Sequence, residues 1–149
     1  MASTLPFDTL LELAREAVDA ATKRLGAMTA MRANAQRQLD MLLDYRQDYL
    51  VRMQNMMAQG MASSDCQNYQ RFISTLDSAL QQQRDVLVRA DEDLIVCREQ
   101  WQQAQRKHNA FDALLVRDRR ARQAVEARRE QRATDEFAGR SAMRLANAF

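Results

Sequence analysis

Glycine and proline are nearly missing from this chain of 149 residues, which holds three of the first and one of the second. Strand-to-strand connections draw heavily on both residues, so a sheet fold is excluded and an all-α fold is expected. The one proline, Pro6, falls near the start, where the first turn of a helix tolerates it. There is no glycine-rich phosphate loop, and His108 is the only histidine. Nucleophilic and metal-assisted catalysis have little to work with, so no enzyme activity, catalytic residue, metal or cofactor is expected. The two cysteines, Cys66 and Cys97, read as one helix's residues some 31 positions apart. At ~1.5 Å per residue that is roughly 46 Å, which forbids an internal disulfide. Cys66 at a helix start could have a lowered pKa, yet no histidine lies near it, and both thiols read as packing residues of a cytosolic protein. No apolar run approaches the ~18 residues of a membrane span, and the start lacks a secretory pattern, so a cytoplasmic location without membrane insertion is expected.

What the chain does contain is helix-forming sequence with a strict heptad pattern. With Leu11 as position a, the a and d residues run Leu11, Ala14, Val18, Ala21, Leu25, Met28, Arg32, Ala35, Leu39, Leu42, Arg46, Tyr49, Met53 and Met56. Twelve of these fourteen are apolar, the exceptions being Arg32 and Arg46. Later in the chain, with Ile73 as position a, the series is Tyr69, Ile73, Leu76, Leu80, Gln83, Leu87, Ala90, Leu94, Cys97, Trp101, Ala104, His108, Phe111 and Leu115, again with twelve of fourteen apolar. Such repeats mark coiled-coil seams. The second frame continues as Asp118, Arg122, Val125, Arg129 and Arg132, so its apolar seam stops near Leu115 while the helical composition goes on.

Between the two series lies Gly60-Met61-Ala62-Ser63-Ser64-Asp65. Gly60 suits the left-handed residue that ends a helix, and Ser64 with Gln67 has the form of a capping box. The expected architecture is therefore one coiled-coil domain over 1–149: a helix from about 5 to 58, a tip at 59–65, a helix from about 66 to 138 and a frayed tail at 139–149. Ser3, Thr4 and Asp8 are candidate first-turn side chains, Gly26 is an internal weak point, and Gly139 is the expected stop of the second helix. An antiparallel pair with partner numbers adding to about 122 brings a residues to d residues throughout, sets Ala21 against Trp101 and Ala35 against Leu87, and carries Phe7 to Leu115. A register adding to 129 is also allowed and pairs Arg46 with Gln83, but it leaves Tyr69 outside. The first is preferred. In either, the second helix is the longer and overhangs.

Two surfaces are left over. Near the tip the e positions turn apolar at Leu43, Leu50 and Met57, while g positions hold Tyr45, Phe72, Ala79 and Val86. A two-helix seam needs only a and d, so this surplus either thickens the core, supports self-association or docks another protein. Residues 117–149 carry nine arginines against five acids, a net +4 set against −2 for the rest. That basic stretch reads as a solvated helix face, a surface for an acidic protein cavity, or a nucleic-acid contact. Only Phe137 and Phe149 offer stacking for nucleic acid.

The chain resembles the flagellar type III export protein FliJ family. The resemblance is carried by Met41-Leu42-Leu43-Asp44-Tyr45 with Tyr49, Gly60 with Ala62-Ser63, Asn68-Tyr69-Gln70 with Phe72-Ile73, and Thr75-Leu76. Asp135-Glu136-Phe137-Ala138, Arg140 and Ala142-Met143-Arg144 match near the C-terminus, as do Leu10 through Leu13-Ala14, Val18-Asp19 and Leu25-Gly26 near the start. The resemblance implies an antiparallel two-helix rod similar to the central stalk of rotary ATPases. It further implies binding within the hexameric export ATPase FliI, with ring formation promoted, and contact with the export gate FlhA, the regulator FliH and export chaperones. The implied place is the cytoplasmic face of the inner membrane at the flagellar base. Gate-binding positions carried over are Gln38, Leu42, Tyr45, Tyr49, Phe72, Leu76 and Ala79, with Gln83 standing where a relative can carry histidine. Within that picture the ATPase-ring surface is assigned to Arg117, Arg119, Arg120, Arg122, Arg128, Arg129 and Arg132. A stalk protein of a virulence secretion system shares the rod, but the C-terminal motifs favour the flagellar branch; a basic nucleic-acid-binding helix is the reading from another class.

Overall fold

The computed structural model describes residues 6–148. The candidate capping residues Ser3 and Thr4, and Phe149, lie outside the described residues. The fold is all-α: α1 spans Phe7–Gln59 and α2 spans Ser63–Asn147, with 53 and 85 residues, and the two helices pack against each other. The carbonyl of Pro6 accepts from the N–H of Thr9 at 2.9 Å and of Leu10 at 3.3 Å, so proline caps the first turn instead of breaking it. Asp8 adds a negative charge where the α1 dipole is positive.

α1 ends at Gly60, whose φ of +91° is the left-handed conformation that a side chain would strain; its N–H donates to the Met57 carbonyl at 3.2 Å. α2 begins earlier than the Ser64 capping box implies. The Ala62 carbonyl accepts from the N–H groups of Asp65 and Cys66, both at 3.1 Å, so the connection is only Gly60, Met61 and Ala62. At the other end the helix does not stop at Gly139, and 139–147 is helical instead of a frayed tail. An interior glycine costs only ~1 kcal/mol relative to alanine, and the helix formers Ala138, Arg140, Ala142 and Arg144 surround it.

The chain divides into two compact units. One is continuous, Val18–Ala104, and is an antiparallel helical hairpin. Its buried side chains are Ala21, Ala35, Leu39, Ile73, Leu76, Leu80 and Ala90, every one an a or d residue. The buried residues of α1 are mostly alanines and those of α2 mostly larger aliphatic side chains, a combination that suits a close two-helix layer. Arg32, at a seam position, reaches Asp91 at 2.7 Å, and Arg46 reaches Asp77. Trp101 donates from Nε1 to Thr22 Oγ1 at 3.0 Å. In all three contacts the partner numbers add to 123, which is the register adding to about 122 and not the one adding to 129.

The two arginines explain why the seam does not slip. A one-heptad shift in one direction brings Arg32 to Arg98 and Arg46 to Arg84; a shift in the other brings Arg32 to Arg84. Each Arg–Asp pair is a third to a half exposed and contributes at most ~1 kcal/mol. Their weight lies in penalising the wrong registers, where like charges replace them.

The second unit holds the start of α1, up to Ala17, and α2 from Gln105 onward. Ala14 and Leu115 are its buried residues. Phe7, Leu10 and Leu115 line one pocket of about 460 Å³ with Asp118, Arg119 and Arg122. His108 is half-buried, and its Nδ1 atom has no hydrogen-bond partner among the described residues. From Arg119 to Ala148 every residue except Ser141 is exposed, because the apolar seam has run out.

The seam makes a direct prediction. Leu80, 2% exposed, should lose about 3 kcal/mol on replacement by alanine, whereas Met31→Ala, at a residue 62% exposed, should stay within ~0.5 kcal/mol; urea denaturation followed by circular dichroism reads both.

Candidate functional site

Four aromatic residues from two helices converge in the hairpin unit. Tyr45 and Tyr49 follow each other one turn apart on α1 and stack with ring centroids at 5.9 Å. Phe72 of α2 lies parallel to Tyr49 at 4.2 Å and tilted against Tyr45 at 6.5 Å, while Tyr69 packs on Tyr49 at 5.7 Å. Ring contacts of this kind contribute about 0.5–1.5 kcal/mol each beyond area burial. The Tyr69 hydroxyl donates to the Met56 sulfur at 3.1 Å, and the Arg52 guanidinium sits 5.9 Å from the Tyr49 ring centre. The local sequence explains the convergence: Tyr49 and Tyr69 occupy seam positions, whereas Tyr45 and Phe72 are g residues that flank the seam on one side.

Beside this cluster runs an open groove of about 560 Å³, lined by Gln38, Met41, Leu42, Tyr45, Phe72, Leu76 and Gln83. Leu76 forms its buried floor, while Tyr45 and Met41 are 56% and 69% exposed. Gln83 donates from Nε2 to the Ala35 carbonyl at 3.0 Å, which ties this polar seam residue across to α1. An apolar floor, aromatic wall and amide rim suit a partner's side chain better than a charged small molecule.

Of the eight positions that the resemblance assigns to gate binding, the groove brings together Gln38, Leu42, Tyr45, Phe72, Leu76 and Gln83. Tyr49 is half-buried behind them, against Phe72, and Ala79 is half-buried without lining the groove. Met41 lines it although a count of a, d, e and g positions passes over it, since Met41 falls at c. The signal for it was its place four residues before Tyr45, on the same helical face.

The seven arginines are all exposed. Arg119 lies 3.8 Å from Asp8, Arg122 is 3.2 Å from Asp118, and Arg129 is 4.0 Å from Glu126. Arg117, Arg120, Arg128 and Arg132 have no ion-pair partner among the described residues. Four of the seven are therefore free cations, and three are already shared with acids. No group of three or more histidine, cysteine or acidic residues that could hold a metal occurs among the described residues, and no helix there is long and apolar enough to cross a membrane.

The aromatic cluster predicts its own signature. Phe72→Ala should cost about 2 kcal/mol and flatten the tyrosine band in near-ultraviolet circular dichroism, while Phe137→Ala, at a residue 74% exposed, should leave both unchanged.

Comparison with known proteins gives a consistent result. Residues 3–147 match the family model described as flagellar FliJ protein. The chain is similar to the flagellar FliJ protein of Salmonella typhi, 35% identical over 144 residues that make up 97% of this chain and 98% of the relative. It is also 35% identical over 136 residues to the flagellar FliJ protein of Escherichia coli (strain K12), covering 91% and 92% of the two chains.

Proposed function

The chain belongs to the flagellar FliJ protein family, and from that membership we propose that it is a non-enzymatic connector of flagellar protein export. In this reading the basic part of α2 enters the ring of the export ATPase FliI and promotes its assembly, and the groove of the hairpin unit contacts the export gate FlhA. FliH and export chaperones are further partners, met at the cytoplasmic face of the membrane at the flagellar base.

The observation that carries the gate assignment is the groove itself. Six of the eight positions carried over by resemblance line one concave, partly apolar surface, with a preassembled aromatic wall behind it. Aromatic side chains held by their neighbours lose little entropy on binding, which is the physical profile of an interface hot spot. The ATPase assignment is supported by a helical stretch that has no apolar seam and carries four arginines without ion-pair partners among the described residues. Guanidinium groups pair well with the carboxylates of an acidic cavity. A nucleic-acid role has weaker support: Phe137 is the sole aromatic between residues 123 and 148, and acids interrupt the arginines.

Replacing Tyr45, Tyr49 and Phe72 together by alanine should weaken gate binding more than about tenfold and reduce motility, with ATPase stimulation retained. Equal loss of both activities would reject the division of labour. A chain ending at Val116 should behave in the opposite way, keeping gate binding but failing to raise ATPase turnover and ring formation; a gel shift at physiological salt, expected to be negative, tests the nucleic-acid reading.

A further inference from the structure

The groove beside the aromatic cluster has a hydrogen-bonding polarity as well as a shape. Gln83 lines it, and the Nε2 group of this residue donates to the Ala35 carbonyl at 3.0 Å. A carbonyl can only accept, so this bond dictates which end of the amide faces α1 and leaves Oε1 as the other end. His108 Nδ1 is the sole buried side-chain polar atom without a partner among the described residues. Gln83 Oε1 accepts no bond there either, so it is not buried and can be reached from outside. Gln38, on the α1 side of the groove, is exposed and makes no side-chain hydrogen bond among the described residues, so its amide can turn to present either end. One amide of the rim is thus a fixed acceptor, and the other is adjustable.

We infer that the groove selects an aromatic side chain ending in an N–H or O–H donor, and that Gln83 is the residue that sets this selectivity. The ring lies on the wall of Tyr45 and Phe72, which Tyr49 backs by stacking on Phe72 at 4.2 Å, and over the floor at Leu76, 7% exposed. Ring-on-ring contact adds attraction beyond area burial. None of the seven lining residues is charged, so a lysine, arginine or carboxylate would give up hydration there without a counter-ion. A leucine would fill the apolar part but strip Oε1 of water and leave it unpaired, and a site built to bond a donor rejects a ligand that lacks one. Tryptophan and tyrosine combine a large ring with a donor.

In the assembly the gate supplies this anchor, so the inference rests on the groove being the gate contact and adds what chemistry that contact reads. The groove's own preference can nevertheless be measured without the gate.

Nuclear magnetic resonance titration of the full chain with small probes tests it. N-acetyltryptophanamide should shift the resonances of Leu76 and Gln83 and bind about fivefold more tightly than its 1-methyl analogue, which keeps the ring but has no N–H; that factor corresponds to one net hydrogen bond. N-acetyltyrosinamide against its O-methyl ether makes the same comparison for the phenol, and the better-bound donor tells which residue the gate supplies. Gln83→Met should abolish both preferences with circular dichroism unchanged and weaken gate binding about fivefold, whereas Gln38→Ala should change gate binding by less than about twofold. Equal binding of donor and methylated probes, a preference that survives Gln83→Met, or no binding of any probe at millimolar concentration would overturn the inference. A gate that binds the Tyr45, Tyr49 and Phe72 triple-alanine chain unimpaired would instead remove the gate reading, and the probe comparison would still decide the chemistry of the groove.

Discussion

The apolar a and d residues of α1 and α2 must bury one another, and this mutual burial is the constraint on which everything else depends. Neither helix has an apolar stripe wide enough for a globular core, and neither could bury its narrow stripe alone. The buried set consists of seam residues, with alanine recurring on α1 at Ala14, Ala21 and Ala35 and larger side chains at Ile73, Leu76 and Leu80 on α2. Burial fixes the pairing but by itself tolerates a slip of one heptad. Arg32 and Arg46 remove that freedom, because in either shifted register Arg32 faces an arginine, and Arg46 faces either an arginine or a glutamine in place of its aspartate. Two half-exposed ion pairs of modest strength thus act mainly on specificity.

The register has consequences for binding. Tyr45 and Tyr49 belong to one helix and Phe72 to the other, so their stacking exists only when the seam is correctly set. The groove beside them inherits the same dependence, since Gln38, Met41 and Leu42 come from α1 while Leu76 and Gln83 come from α2. Where the seam ends, after Leu115, the helix keeps its backbone hydrogen bonds but has no apolar partner to hold. Its surface is then determined by charge, and the arginines that follow are exposed.

Much of this was legible in the sequence because a heptad repeat states both secondary structure and burial. The fold class, the seam residues and the left-handed Gly60 all follow from spacing and residue type. The start and end of α2 were not legible. Ser64 has the sequence of a cap, but the Ala62 carbonyl already accepts the first helical bonds, so geometry two residues earlier prevails over side-chain preference. Gly139 looks like a stop, yet a glycine ends a helix only when it adopts positive φ, and nothing local requires that here. Of the site, the aromatic residues stood out, whereas Met41 did not, because its c position is normally solvent-facing. The partners of Arg32 and Arg46 were likewise hidden, since Asp77 and Asp91 lie at e positions of the other helix.

Disulfide trapping measures the central claim most directly. In a chain with Cys66 and Cys97 replaced, cysteines at Ala35 and Leu87 should oxidise rapidly within one molecule, and cysteines at Ala35 and Leu94 should not. Preferential bonding of the second pair, or bonds that form only between molecules, would contradict the register from which the groove and the aromatic cluster are built.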